Sequence, residues 1–327
     1  MTLLIDCLRA GRKLRPAGIF GLLLCLALLP TGARGAQKSA APQKVILDTD
    51  IGDDIDDAYA LALLISMPDV KLLGVTTTFG QTRERAEIAA KLLTVSGHGD
   101  IPVYAGRRGS STIREQYQWA RGFTGRNLKS EEAVLFLKRE IDRSPGEITL
   151  IGIGALTNIG DLFTRYPDTK AKIKRIVIMG GAVYVGYNNQ APPSVEWNIK
   201  CDPAAAKIVY SSGVPLTMAG LEVTTMMQLD GEHQKRVFSY GTPATDALAA
   251  LTSIWGGNTP TLFDVAAVAH ATGHVFSDSE QLHVEVDDNG LTRIGSGAPN
   301  VTVLVHPKKD AFLNWYVSAL NPHVVHD

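Results

Sequence analysis

The strongest constraint on this chain is the stretch from Val45 to Leu61. It runs from the apolar Val45-Ile46-Leu47 into Asp48-Thr49-Asp50-Ile51-Gly52-Asp53-Asp54-Ile55-Asp56-Asp57, then into Ala58-Tyr59-Ala60-Leu61. An apolar run followed by a polar turn and an Ala/Leu-rich segment reads as a buried strand, a loop and a helix. In an open parallel sheet, a strand-to-helix turn lies at the carboxyl edge, where ligands bind. Positions 48 to 57 hold six aspartates and no basic residue. Carboxylates crowded this closely repel one another unless positive charge sits between them, so the pattern asks for a divalent cation. Capping a helix amino terminus would need only one or two of them. The spacing also differs from an EF-hand loop, which places acidic residues at alternate positions and a Glu at the twelfth.

The rest of the chain alternates. Strands are expected over 71–78, 101–104, 148–153, 173–179 and 214–219, and helices over 82–95, 131–141, 156–163 and 203–210. This alternation predicts an α/β fold with a mostly parallel central sheet and helices on both faces. Further on, helices are expected over 231–240, 244–255, 262–271 and 309–320, with strands over 281–286 and 300–305. The late strands read as an antiparallel addition to the same sheet, and the helices as a cap over its carboxyl edge. Two connections, 106–129 and 180–200, are long for ordinary turns and are expected beside the aspartates.

A length of 327 residues with 45% hydrophobic content suffices for a sizeable core, and a formal charge of −1 gives no reason to expect nucleic acid or an anionic membrane as partner. A small molecule fits better. Arg9, Arg12, Lys13 and Arg15 precede an apolar run from Ala17 to Leu29, broken by Pro30-Thr31-Gly32 and followed by Ala33-Arg34-Gly35. Residues 1–35 therefore read as a cleaved signal peptide, 36–43 as a linker and 44–327 as one catalytic domain, exported to a periplasm or the exterior with no stable membrane partner after cleavage. A retained membrane anchor is the alternative. Cleavage would remove Cys7 and Cys25, leaving Cys201 without a disulfide partner and best read as structural filler.

Asp48-Thr49-Asp50-Ile51-Gly52 with Asp56-Asp57-Ala58 resembles the amino-terminal signature of the inosine-uridine preferring nucleoside hydrolase family. The resemblance continues in order through Thr76-Thr77-Thr78-Phe79-Gly80, Ile153-Gly154-Ala155-Leu156-Thr157-Asn158, Met179-Gly180-Gly181, Glu196-Trp197-Asn198, Asp202-Pro203 and Phe263-Asp264. It implies Ca²⁺-dependent hydrolysis of the N-glycosidic bond of ribonucleosides. In that scheme Asp50, Asp57, Asp264 and the Ile153 carbonyl hold the cation, and Asp50 also takes a proton from the attacking water. Asp56 contacts a ribose hydroxyl, while Glu196, Asn198 and Met179 serve the sugar. The resemblance also implies a homo-oligomer of no particular number. Oxygen-only ligands suit Ca²⁺, and no His/Cys cluster argues for zinc.

Each distant landmark has a plainer reading too. Asp264 could be a helix cap, Asn158 an organiser of a turn, and Trp119 and Trp197 packing residues. Three departures from the family pattern bear on function. Asp53-Asp54 is an apparent two-residue expansion before Asp56-Asp57, which makes Asp54 an alternative metal ligand. Gln81 stands where many members carry Asn, and Phe263 where many carry a His thought to protonate the leaving base. Phe has no proton to give, so the candidates for that task are Tyr184, Tyr187, Arg121 and Trp119. His270 and His274 receive no role. Two other readings stand beside the hydrolase: a non-catalytic Ca²⁺-dependent ribose or nucleoside binder, and a Mg²⁺ phosphohydrolase of the haloacid dehalogenase type, since Asp48-Thr49-Asp50 also ends a strand.

Overall fold

The computed structural model describes residues 41–321, so the expected leader and residues 36–40 of the expected linker lie outside the described residues. The first half of the alternation is β1 (Gln43–Thr49), α1 (Asp56–Ser66), β2 (Val70–Thr77), α2 (Thr82–Val95) and β3 (Val103–Ala105). A short α3 (Tyr117–Ala120) lies in the long connection before α4 (Ala133–Arg143), β4 (Thr149–Gly152), α5 (Thr157–Arg165) and β5 (Arg175–Met179). After the second long connection come α6 (Trp197–Cys201), α7 (Pro203–Tyr210), β6 (Leu216–Ala219) and α8 (Leu221–Thr224). The last third holds α9 (Gly231–Phe238), α10 (Pro243–Trp255), α11 (Phe263–Ala271), β7 (Ser277–Leu282), β8 (Val284–Val286), β9 (Thr292–Ile294), β10 (Val301–Pro307) and α12 (Lys309–Ala319). Helices α2 and α7 span the residues their periodicity predicts.

Eight strands form one sheet in the order β3-β2-β1-β4-β5-β6-β10-β7, parallel throughout except at the β10–β7 pair. Two expectations are corrected here. Strand β10 pairs parallel to β6, so only β7 is an antiparallel addition. The strand expected over 281–286 is divided at His283 between β7 and β8, and β8 leaves the sheet to form a hairpin with β9.

Side-chain alternation along β1 explains the layering. Val45 and Leu47 point into one buried cluster with α1, α2, α10, α11 and α12, whereas Ile46 points into the other with α4, α5 and α7. With a period of two, Thr49 faces the first layer and Asp48 the second. Strand β1 is buried on both faces, which is why it reads as a continuous apolar run. The chain winds outward from β1 to β2 and β3 on one side and resumes at β4 on the other. The switch point therefore falls between the carboxyl ends of β1 and β4, where open α/β sheets bind ligands. The helices expected as a cap reach this edge through Trp255 at the end of α10 and Phe263-Asp264 at the start of α11. Helix α11 itself packs along α1, β4 and β5.

Candidate functional site

The carboxyl ends of β1 and β4 and the amino termini of α1 and α11 border a cavity of about 260 Å³. Asp50 follows β1, Asp56 and Asp57 open α1, Ile153 follows β4 and Asp264 is the second residue of α11; all five line the cavity. Met179 at the end of β5, and Glu196 and Asn198 at the start of α6, complete the residues expected from the sequence. Both long connections reach the site, 106–129 through Arg114 and 180–200 through Tyr187, Glu196 and Trp197.

The carboxylates are buried, and burial raises their pKa. Asp56, Asp57 and Asp264 are held well above the ordinary range, first by desolvation and then by repulsion among themselves and Asp50 or Asp54. One ligand atom from each of these three lies within 4.8 Å of the others. The backbone N–H of Asp264 donates to Asp56 Oδ2 at 3.2 Å, and Thr49 Oγ1 donates to Asp57 Oδ1. Helix amino termini favour negative charge, so α1 and α11 both direct positive dipole ends at the cluster. Asp264 is not a cap, because the cap position of α11 is Leu262 and makes no side-chain cap bond. Among the described residues no His or Cys lines the cavity. An all-oxygen donor set of three buried carboxylates, with Asp50 and Ile153 lining the same cavity, fits a hard divalent cation.

The inserted pair lines the same cavity outside this close group, and Asp54 still repels Asp56. Asp53 accepts from Arg85 Nη2 at 2.7 Å and from the Arg114 N–H at 3.0 Å, and Asp54 Oδ1 accepts from the Ile55 N–H at 2.7 Å. The close group draws in Asp56, expected only at a ribose hydroxyl, and leaves out Asp54. Gly52 makes the turn feasible: its φ is +128°, and a Cβ there would stand 2.5 Å from Ile113 Cδ1.

Arg85 is the residue that sequence reasoning missed. Its side chain is fully buried. It donates to the backbone carbonyls of Asp50, Ile51 (3.2 Å) and Phe79 (2.8 Å) and to Asp53. Its charge lowers the pKa of Asp50, which burial nevertheless raises to about 6. A signal for it existed, since Arg85 shares a helical face with Ile88, Ala89 and Leu92, all buried.

Asp48 does not line the cavity. It accepts from Thr76 Oγ1 at 2.6 Å and Asn158 Nδ2 at 2.7 Å, and its pKa is raised to about 7 by burial. Asn158 also donates to the Thr77 carbonyl at 3.1 Å, so it ties α5 to two strand ends rather than shaping a turn. Glu196 Oε1 accepts from the Asn198 N–H at 2.9 Å, and its Oε2 accepts from Gly181 at 3.0 Å and Ile199 at 3.1 Å. Burial outweighs these bonds and raises Glu196 to about 7. Asn198 Nδ2 donates to the Met179 carbonyl at 3.1 Å and the Ile153 carbonyl at 3.3 Å.

Of the four candidates for the leaving-group task, only Tyr187 lines the cavity. Tyr184 donates to Glu280 at 2.7 Å, Arg121 lies over the Tyr117 ring and Trp119 carries Lys91 on its face. Tyr187 packs its ring edgewise on Phe263, with centroids 6.3 Å apart, and its oxygen accepts from the Trp197 N–H at 2.8 Å. Gln81 lies off the cavity and accepts from the Ile113 N–H at 3.0 Å, pinning the first long connection. His270 and His274 border a different, very small cavity.

These shifts predict how the cation couples to stability. Of the carboxylates lining the cavity, Asp50 (about 6) and Glu196 (about 7) bind protons more tightly folded than unfolded, as do Asp56, Asp57 and Asp264. The stabilisation from their protonation is complete below the unfolded value near pH 4 and is lost as pH rises through about 6 to 7. Added divalent cation is therefore expected to raise the melting temperature more at about pH 8 than at about pH 5, read by thermal denaturation. Equal shifts at the two pH values would show that the cluster is charged throughout.

A parallel sheet with an acidic, cation-accepting cavity at its switch point defines a ligand-binding α/β protein. The model of the inosine-uridine preferring nucleoside hydrolases matches residues 45–314, and the chain belongs to that family. It is similar to the pyrimidine-specific ribonucleoside hydrolase RihA of Shewanella sp. (strain ANA-3), 32% identical over 308 residues that cover 84% of this chain and 95% of the relative. Among solved structures it resembles a purine-preferring ribonucleoside hydrolase from Gardnerella vaginalis, with a TM-score of 0.74 and 26% identity over 85% of this chain and 98% of that one. A plant nucleoside hydrolase, PpNRh1, shares the fold with a TM-score of 0.77 at 24% identity, over 86% of this chain and 99% of that one. The protein is thus a nucleoside hydrolase, an enzyme of N-glycosyl bonds whose substrate is a small-molecule nucleoside.

Proposed function

We propose that this chain hydrolyses the N-glycosidic bond of ribonucleosides to ribose and free base, with Ca²⁺ as the cation of the acidic cavity. The observation that carries the reading is the meeting of Asp50, Asp56, Asp57, Asp264 and Ile153 with Glu196 and Asn198 around one cavity. Cleaving this bond builds positive charge on the anomeric carbon, and fixed buried carboxylates stabilise that charge. When bound, the cation supplies polarisation of the attacking water and a grip on ribose hydroxyls. Asp50, Asp57, Asp264 and the Ile153 carbonyl would hold it, with Asp56 near enough to share the task or to take a ribose hydroxyl. Asp50 accepts the water's proton. Asn198 has its amide N–H₂ turned to two backbone carbonyls, which leaves its Oδ1 to accept from a sugar hydroxyl. Glu196, fixed by three backbone donors, takes a second hydroxyl, and Met179 packs beside them.

The test is a panel of purine and pyrimidine ribonucleosides incubated with the protein and Ca²⁺, with base and reducing sugar both quantified. Turnover is expected with at least one of them, to vanish on dialysis against a chelator and to return with Ca²⁺. Release of no product across the panel would overturn the reading, and binding without release would leave a non-catalytic nucleoside binder. The leader expected over residues 1–35 supports an exported enzyme.

A further inference from the structure

We infer that Arg114 is a catalytic residue that stabilises the departing base, with its backbone held over the cavity by the inserted Asp53-Asp54 pair. The inference rests on the ribonucleoside hydrolase reading and deepens it. With Phe263 at the position where a proton donor is common, the chain needs another means of accommodating negative charge on the base. Seven carboxylate residues line the cavity, Asp50, Asp53, Asp54, Asp56, Asp57, Glu196 and Asp264, and Arg114 is the one cationic residue among its lining.

The other polar side chains near the aromatic wall are committed elsewhere or carry no charge. The Tyr187 hydroxyl is engaged with Glu196 and the Trp197 N–H. The Trp255 side chain bonds to Asp54, and the Arg114 charge also acts on that carboxylate, which places the guanidinium beside the inserted pair at the cavity. Trp197 is a neutral donor, half exposed, with its ring edge on Phe79. A guanidinium has a full charge and five N–H donors, and it suits a base whose negative charge spreads over ring nitrogen and exocyclic oxygen.

The backbone beneath Arg114 is mounted on the aspartate turn at several points. Its own N–H donates to Asp53 Oδ1 at 3.0 Å. Gln116 Nε2 donates to the carbonyls of Asp53 and Asp54 at 3.2 and 2.7 Å. The Ile113 N–H donates to Gln81 Oε1, and the Ile113 side chain fills the space that Gly52 leaves open. Asp53 is itself held by the buried Arg85. Two departures from the family pattern thus belong together, because the inserted pair supports the segment whose side chain offsets the effect of Phe263.

In the step, the bond from C1′ to the base nitrogen breaks and its electron pair moves onto the base. The water oxygen bonds to C1′, and the water's proton passes to Asp50. Arg114 stabilises the base anion without giving up a proton, since a guanidinium stays protonated. The anion takes its proton from solvent, and Asp50 returns one to solvent.

The experiment compares a ribonucleoside that the wild type turns over with p-nitrophenyl β-D-ribofuranoside, whose leaving group is stable as an anion. Arg114→Ala is expected to lower kcat on the nucleoside about 10-fold, less than for a donor shielded from water because an exposed guanidinium is screened by solvent, while p-nitrophenol release changes less than about twofold. Arg114→Lys should fall between them, and added guanidinium ion should restore part of the Ala variant's nucleoside activity. Arg114 is exposed, so neither variant removes a buried contact. Equal losses on both substrates, or no loss on the nucleoside, would overturn the inference. So would a wild type that cleaves the nitrophenyl riboside but no ribonucleoside. A wild type that cleaves neither would instead overturn the hydrolase reading itself.

Discussion

Asp50→Asn is expected to lower kcat for ribonucleoside hydrolysis about 10³-fold, within the usual worth of a positioned general base. The amide keeps the carboxylate's shape but cannot accept the water's proton. The surroundings make this a test of chemistry rather than folding. Asp50 sits among Asp53, Asp54, Asp57, Asp264 and Glu196, and its burial and carboxylate neighbours already oppose its charge. Removing one negative charge relieves that repulsion, so the melting temperature of the cation-free variant should hold or rise. Arg85 grips the Asp50 backbone carbonyl, not its side chain, and that grip survives the substitution. The check is base release followed spectrophotometrically, beside a thermal melt. A loss below about tenfold would mean that another group takes the proton.

Arg85→Met carries the largest expected cost in stability, about 3–5 kcal/mol, the usual result of removing one partner of a buried charge pair. Met matches much of the length and preserves the apolar stem, so the loss isolates the guanidinium. Three backbone carbonyls and the Asp53 carboxylate would lose their donor in one change. Asp53 is only slightly exposed beside the fully buried Arg85. Water therefore reaches the vacated partners poorly, and their desolvation goes uncompensated. Urea unfolding at neutral pH measures the effect, and activity should fall with it because Asp50 and Ile51 lose their anchor. A cost under about 1 kcal/mol would show that protonation of the neighbouring carboxylates can replace the cation.

The aspartate turn was legible in the sequence because it stands at an element end, where a pattern break is visible. An apolar strand that stops in carboxylates is a local signal, whereas Met179, Glu196, Asn198 and Asp264 are named through the family resemblance, and the sheet brings all of them to one edge. What escaped was whatever depends on which distant surface a residue meets. Arg85 stands in the charged run Arg83-Glu84-Arg85, which masks its place on the apolar face with Ile88, Ala89 and Leu92; only the fold shows that this face of α2 lies beneath the aspartate turn. Arg114 gave no local signal at all, since it lies in a loop rich in arginine, and its place over the cavity follows from bonds to residues some sixty positions earlier.

Strand direction shows the same division. Residues 301–307 bury a run of apolar side chains like any strand, and nothing in that pattern says which way it runs beside β6. Direction was decided by the helices α8 to α11 and the departure of β8 and β9, which bring the chain back to the same end of the sheet.

By itself, the sequence determined the alternating α/β architecture and the cation-seeking turn at Asp48–Asp57, because periodicity and charge crowding are properties of neighbouring residues, and its ordered motifs carried the resemblance to the nucleoside hydrolases. Only the tertiary structure decided that Asp56 joins Asp57 and Asp264 in the tight group, that Asp53 and Arg85 brace the turn, and that Arg114 is set at the cavity, because those relations are made by contacts between residues far apart in the chain.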